Sequence, residues 1–357
     1  MAITSRVFGK NAEGADVTLY TMTNHLGASV SMIDYGATIQ SIIVPDREGN
    51  MADIVTGFDT MAGYLVSHGH MGETIGRYGN RIGNAEFTID GVNYPVAANN
   101  GKNHLHGGKV GFGVRMWETT TIEADEQDTL AFHLISPDGE ENYPGTLDVT
   151  VTYTWDDDNN LSIRYRATTD KATLCNMTNH AYFNLGGHDH GTIGDHVMYI
   201  DADAITKVDD GLIPTGEMYP VTGTPLDLRD GMMLEDGLAD TETNTQMKYC
   251  GGYDLNYVLA KGTAFATAAV VVHEASGRTM EVLTDQPGVQ FYTANTTDCK
   301  GGKGGFDYGP HCAFCLETQH FPDSPHNPQW ATTILRPGEV YDTTTVYAFR
   351  VEEGYDE

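Results

Sequence analysis

Two short stretches carry residue types suited to proton transfer: Thr178-Asn179-His180-Ala181-Tyr182-Phe183-Asn184-Leu185-Gly186-Gly187 and, far downstream, Leu316-Glu317-Thr318-Gln319-His320-Phe321-Pro322-Asp323. Each sets one titratable side chain, His180 or Glu317, among apolar or small neighbours, which is how a protein tunes a proton donor and a proton acceptor. An imidazole and a carboxylate in such settings point to acid/base work on a neutral, hydroxyl-rich molecule. Taken singly, His180 also fits a core or turn histidine, and Glu317 an ion pair near a sheet end.

Other polar clusters are dispersed along the chain, each beside a predicted strand: Asn80-Arg81, His104-Leu105-His106-Gly107-Gly108 and Tyr253-Asp254. Loops at strand ends can bring such groups together. The sequence has no GxSxG elbow, HExxH, EF-hand loop or dinucleotide fingerprint, which removes the usual signals of nucleophilic hydrolysis, zinc proteolysis and hydride transfer. The glycine-rich run Lys300 to Gly305 lacks the phosphate-loop pattern and reads as a flexible loop. Cys312 and Cys315 form one CxxC with no second pair, inside a run that reads as buried strand, so core cysteine is favoured over zinc or redox chemistry. His104 and His106 would face one side of a strand, which makes a metal pair the competing reading. Proton transfer needs no metal or cofactor, and none is expected. His188 and His190 sit among Asp and Gly and read as an exposed loop.

The elements that must position these groups are strands. Leu147, Val149, Val151, Tyr153 and Trp155 alternate with Asp148, Thr150, Thr152 and Thr154, the pattern of a strand with one buried face. Hairpin signals follow: Asp90-Gly91 between Phe87-Thr88-Ile89 and Val92-Asn93-Tyr94, Asp157 to Asn160 before Leu161, and Ser276-Gly277 between Val270 and Met280. Helical patterns are confined to short turns near Met61 to Val66 and Gly231 to Leu238. These features predict an all-β protein, an antiparallel β-sandwich of many strands in a single domain over residues 1–357, with no linker-like break in composition.

Lys+Arg 20 against Asp+Glu 50 gives a net charge of -30, which repels nucleic acid, anionic membrane surfaces and phosphorylated ligands. Asp156-Asp157-Asp158 and Glu123 to Asp128 read as solvated surface turns. The N-terminus lacks a signal-peptide pattern and five cysteines make an odd count, so a reducing, cytoplasmic location is expected, with neither nucleic acid nor membrane as partner.

Five blocks in order resemble the aldose 1-epimerase (galactose mutarotase) family: Gly76-Arg77 with Asn80-Arg81-Ile82, Leu105-His106-Gly107-Gly108, Thr178-Asn179-His180 with Tyr182-Phe183-Asn184-Leu185, Gln286-Pro287-Gly288-Val289-Gln290, and Leu316-Glu317-Thr318-Gln319. The resemblance implies the large β-sandwich of that family, the mutarotase-like supersandwich. It also implies interconversion of the α and β anomers of free aldoses such as galactose and glucose, without a cofactor. It makes Glu317 the base and His180 the acid, with Glu317 ionised and His180 protonated near neutrality. His106 would hydrogen-bond the sugar, its neighbouring glycines allowing close approach. Asn80, Arg81 and Asp254 would hold hydroxyls, Tyr182 would line the pocket, and Gln290 would contact substrate or support the base. Simpler readings are an arginine and an aspartate in turns, and strand packing for Tyr182 and Gln290. Two other functions compete: a hexose-6-phosphate epimerase, which would need an Arg/Lys cluster, and a non-catalytic carbohydrate-binding sandwich. The chain departs from the family pattern at Tyr78-Gly79, Gly111-Phe112-Gly113-Val114, Gly69-His70-Met71-Gly72 and His320. These departures are expected beside the pocket, where they bear on sugar preference. The preferred aldose, and monomer against dimer, are left open.

Overall fold

The alternation along Leu147 to Trp155 becomes the strand Leu147–Asp156, with Leu147, Val149, Val151, Tyr153 and Trp155 buried and the residues between them facing outward. A computed structural model describes residues 2–67, 69–124 and 127–352. Within them this strand belongs to a nine-stranded antiparallel sheet, ordered Glu118–Glu123, Gln127–Ser136, Leu147–Asp156, Asn160–Thr169, Tyr341–Val351, Arg278–Thr284, Ala266–His273, His196–Ile200 and Met232–Met233. A five-stranded meander from Ala2–Lys10 to Met51–Asp53 forms a second sheet. A third takes its strands in the order Pro214–Pro220, Ala202–Val208, Asp254–Leu259, Gly288–Tyr292 and Cys315–Gln319. Met32 and Ile39 of the second sheet, Val151 and Val282 of the first, and Leu255 and Phe291 of the third share one buried cluster. Closing three apolar faces on one core is what makes a large all-β chain stable.

The hairpin signals hold. Asp90 and Gly91 both take positive φ between Glu86–Ile89 and Val92–Pro95, as a two-residue hairpin loop requires. Asp156 accepts hydrogen bonds from the backbone of Asp158 and Asn160, which shapes the turn before Asn160–Thr169. The first helical turn is Met61–Val66 as expected, and the second is Leu234–Ala239. A third, Thr245–Cys250, was too short to leave a helical period; Asn244 caps it by accepting from the backbone of Gln246 and Met247. No helix among the described residues is long and apolar enough to cross a membrane.

Three expectations need correction. Glu123 closes one strand and Asp128 lies inside the next, buried opposite Trp155, so these two are not parts of a solvated turn; residues 125 and 126 lie outside the described ones. The Lys300 to Gly305 segment is anchored rather than loose, because the buried Lys303 ammonium reaches the Asp53 carboxylate at 2.7 Å and the Val55 carbonyl at 2.8 Å. His104 and His106 do not face one side. His104 points into a separate core cluster, with Nδ1 on the Ala97 carbonyl at 2.8 Å and Nε2 on the Tyr143 hydroxyl at 2.6 Å. Cys312 and Cys315 are buried free thiols, as read.

Two buried groups tie the large sheet to the segments that carry the site. The Arg77 guanidinium bonds the carbonyls of Ser136, Pro137, Pro144 and Gly145. The Tyr153 hydroxyl meets Thr74 Oγ1 at 2.8 Å and Asn179 Nδ2 at 3.4 Å, next to His180. Tyr153→Phe keeps the ring's packing and removes the shared hydroxyl, so unfolding in urea should show a loss of about 1–3 kcal/mol. An unchanged midpoint would mean that this hydroxyl does not brace the site.

Candidate functional site

Antiparallel register assembles one wall. In the third sheet Asp254 opposes Tyr292, which opposes Cys315, while Asn256 opposes Gln290, which opposes Glu317. The two rows are two residues apart, so the strand period puts them on one face. Asp254, Tyr292 and Glu317 look from that face into a cavity of about 740 Å³.

The facing wall comes from short strand pairs. Thr178–Asn179 pairs with Thr74–Ile75, and the ladder ends on His180, whose N–H donates to Glu73 O at 2.9 Å and whose carbonyl accepts from Gly72 N at 3.0 Å. Arg81–Ile82 pairs with His104–Leu105. Just outside that pair, Asn80 and His106 both adopt left-handed φ (63° and 50°), uncommon for residues with a Cβ. They hold each other: His106 N–H donates to Asn80 O at 3.1 Å, and Asn80 N–H donates to His106 Nδ1 at 3.1 Å. The second bond makes Nδ1 an acceptor, so the neutral ring carries its proton on Nε2. Gly107 has a different task from the one expected, because a Cβ there would strike the Gly76 carbonyl rather than substrate.

At the floor, His180 Nε2 stands 3.6 Å from Glu317 Oε1, with the two side chains 6% and 3% exposed. The Tyr182 ring stacks on His180 at 5.0 Å, its hydroxyl donating to Gly69 O at 2.8 Å, and Cys315 Sγ lies 3.6 Å from His180 Nδ1. Asp254 takes Gln290 Nε2 at 2.7 Å on one oxygen and faces Arg81 at 3.5 Å with the other. Asn80, Arg81, His106, His180, Tyr182, Asp254 and Glu317 thus line the cavity together. Gln290 does not line it: it is the cross-strand neighbour of Glu317, but its amide serves Asp254 from behind.

Burial opposes both charges expected of the pair. It lowers His180 to about 3, with His70 adding to the effect. Burial and then the neighbouring Asp254 charge raise Glu317 well above the usual carboxylate range, while Arg81 pulls the other way. His106 is also held well below its ordinary value, by burial first and then by its neighbour His70. Burial therefore favours a singly protonated pair in its uncharged form, in place of the ionised Glu317 and protonated His180 inferred from ordinary values.

His70 was noted only as a departure, yet it lines the cavity, 5.0 Å from the His106 ring and 6.0 Å from the His180 ring. Burial would lower its pKa, but Glu73, with Oε2 2.8 Å from Nδ1, more than offsets this and raises it. Gly113, a second departure, makes room: a Cβ there would strike the Glu73 carboxylate. The i,i+3 spacing of His70 and Glu73 was the available signal. For Cys315 it was its place two residues before Glu317 on one strand. Tyr78, Gly79 and His320 are not in the lining; Tyr78 is buried and accepts from Ser324 N, and His320 bonds Gln286.

A three-sheet antiparallel scaffold with a neighbouring carboxylate and imidazole in one cavity places the chain among large β-sandwich proteins of the mutarotase-like class. The family model described as aldose 1-epimerase matches residues 18–348. A human protein named galactose mutarotase is 43% identical over 352 residues, covering 98% of this chain and 99% of that one. An Escherichia coli K12 protein named aldose 1-epimerase is 36% identical, covering 95% and 97%. The crystal structure of an aldose epimerase homologue from C. elegans superposes with a TM-score of 0.85 at 34% identity, covering 93% of this chain and 98% of that chain. The chain belongs to the aldose 1-epimerase family.

The pKa directions set a pH profile. The singly protonated pair persists from about pH 3, where His180 takes up a second proton, to the raised pKa at which Glu317 ionises. The kcat/KM for mutarotation should therefore show no His180 limb at the ordinary histidine value, and its alkaline limb should lie above the usual carboxylate range. An inflection from His70, above the ordinary histidine value, should vanish in His70→Phe. An acid limb at the ordinary histidine value that survives in His70→Phe would contradict the charge state described.

Proposed function

We infer that this chain interconverts the α and β anomers of free aldoses, with Glu317 as base and His180 as acid. The observation that carries this reading is the 3.6 Å separation of His180 Nε2 and Glu317 Oε1 at the floor of a cavity walled by hydrogen-bonding groups. The ring oxygen and the anomeric hydroxyl of a pyranose are bonded to the same carbon. A donor and an acceptor this close can each reach one of them, and no nucleophile or cofactor is asked for.

In the reacting form the shared proton is on His180. Glu317 takes the proton of the C1 hydroxyl as His180 gives its proton to the ring oxygen, and the bond from C1 to that oxygen breaks to leave the open aldehyde. Rotation about C1–C2 presents the other carbonyl face. His180 then recovers the proton from the chain hydroxyl as it attacks C1, and Glu317 returns its own to the carbonyl oxygen, so the enzyme ends as it began. Burial weights the resting pair toward the uncharged form, while the cation of Arg81 supports a charged Glu317. His106, with its proton on Nε2, and Asn80 supply donors, and Asp254 supplies an acceptor, to fix the ring against the pair.

The cavity's composition favours free over phosphorylated sugars. Arg81 already faces Asp254, and Lys300 on the rim stands 3.3 Å from Asp307 and 3.7 Å from Asp298, so neither is an unpaired phosphate clamp.

Polarimetry of freshly dissolved α-D-galactose and α-D-glucose, with and without protein, tests the activity. Equal rates across a panel of aldoses would refute it. Glu317→Gln should lower kcat by about 10²–10⁴-fold, the usual worth of a general base, while calorimetry still detects sugar binding. Wild-type rates in that variant would remove Glu317 from the base role.

A further inference from the structure

Away from the cavity, three imidazoles surround one carboxylate at the edge of the large sheet. His196 and His273 are direct cross-strand partners, their rings stacked at 4.7 Å. Asp195 precedes the first of these strands, and His190 comes from the loop before it. Asp195 Oδ2 lies 2.8 Å from His190 Nε2 and 3.2 Å from His273 Nε2, while Oδ1 lies 3.0 Å from His196 Nδ1. The proton-transfer reading leaves this cluster without a task.

Its hydrogen bonds divide the four residues into ligands and supports. The backbone N–H of Leu185 donates to His196 Nε2 at 3.0 Å, so the neutral ring carries its proton on Nδ1 and donates it to Asp195 Oδ1. His196 is thereby spent on orienting the carboxylate and leaves Oδ2 turned toward the other two rings. His273 Nδ1 is engaged at 2.8 Å by Ser276 Oγ, which also accepts from Arg278 N, so His273 directs Nε2 to the same point. The His190 ring lies over Gly186, where any Cβ would collide with it. Metal-ligating groups held from behind in this way are what a cation site requires.

We propose that His190 Nε2, Asp195 Oδ2 and His273 Nε2 bind a divalent cation of the zinc type, with water completing a four-coordinate shell. The candidate ligand atoms all lie within 4.8 Å of one another. Zinc bonds of about 2.0–2.2 Å to nitrogen and oxygen put tetrahedral ligands about 3.4 Å apart, and the 2.8 Å and 3.2 Å separations of the two Nε2 atoms from Oδ2 would open by a few tenths of an ångström to admit the ion. Two imidazoles and one carboxylate suit zinc better than magnesium or calcium, which take all-oxygen shells. The His190 and Asp195 side chains are 32% and 47% exposed and give access from solvent, while the buried His273 forms the floor. His106, His180 and Glu317 form the other such triangle, but Arg81 and the His70 side chain stand beside it and oppose a cation.

The site would clip the loop that leaves the His180 stretch onto the large sheet, so its readout is binding and stability rather than turnover. Chelator-treated full-length protein is titrated with Zn2+ by calorimetry, and Tm is followed against Zn2+ concentration. Wild type should bind one Zn2+ per chain at this site, with Tm rising as the cation is added. His190→Ala should weaken that binding at least tenfold and abolish the Tm rise while leaving mutarotation unchanged, and Glu317→Gln should keep both. Asp195→Asn serves as a second variant should His190→Ala fail to fold by circular dichroism. No zinc uptake by the wild type, uptake unaffected by either cluster variant, or uptake lost in Glu317→Gln instead would each overturn the proposal.

Discussion

The 3.6 Å approach of the buried Glu317 carboxylate and His180 imidazole is the contact on which the proposed reaction depends. The two groups lie on different parts of the chain, one in the last strand of the third sheet and the other at the end of a two-residue bridge. Neither element fixes the distance. What fixes it is the common core beneath both: Tyr153 of the large sheet braces the bridge through Thr74 and Asn179, and Tyr347 of the same sheet donates to the Leu316 carbonyl, one residue from Glu317. The same burial that holds the separation also shifts both groups toward their uncharged forms, so the scaffold and the protonation state have one cause.

Polar groups around that contact are satisfied in a graded way. His106, Tyr182 and Asp254 each commit one atom to the protein, respectively to the Asn80 amide, the Gly69 carbonyl and the Gln290 amide. Each is thereby oriented by the fold before a ligand arrives, which lowers the entropy that binding must overcome. The left-handed backbone at Asn80 and His106 belongs to the same arrangement, since extended conformations there would continue the Arg81–Ile82 and His104–Leu105 ladder and carry both side chains away from the cavity.

Much of this was legible in the chain because strands announce their buried face by alternation and hairpins by dipeptides such as Asp90-Gly91. His180, Glu317 and the cavity-lining Asn80, Arg81, His106 and Asp254 stood in motif blocks, which is why the sequence could nominate them together. What stayed hidden depends on register or on backbone twist. That Gln290 serves Asp254 instead of touching the cavity follows from which residue lies opposite which across three strands, and no local pattern encodes it. That His104 turns into the core follows from the left-handed step at His106, which breaks the strand period on which a shared face depended. The direction in which burial pushes the pair was hidden for a similar reason: ordinary pKa values belong to solvated groups, and depth of burial is a tertiary property.

The chain's departures from its family pattern obey the same packing constraint. His70 introduces a third imidazole beside His106 and His180, and a histidine this buried needs an anion to carry charge. Glu73 supplies that anion, and its carboxylate occupies the space a side chain at residue 113 would fill; Gly113 leaves it open. His70 and Glu73, with Gly113 from far along the sequence, therefore form one packed unit. The sequence showed only the segments holding His70 and Gly113 as separate departures, and did not single out Glu73. Read together, they place a cation-capable ring on the cavity wall at a distance from His180 that alters its charge without touching the acid/base contact. This trio therefore acts on the site in two ways, by shaping the wall and by placing the His70 charge where it lowers the His180 pKa.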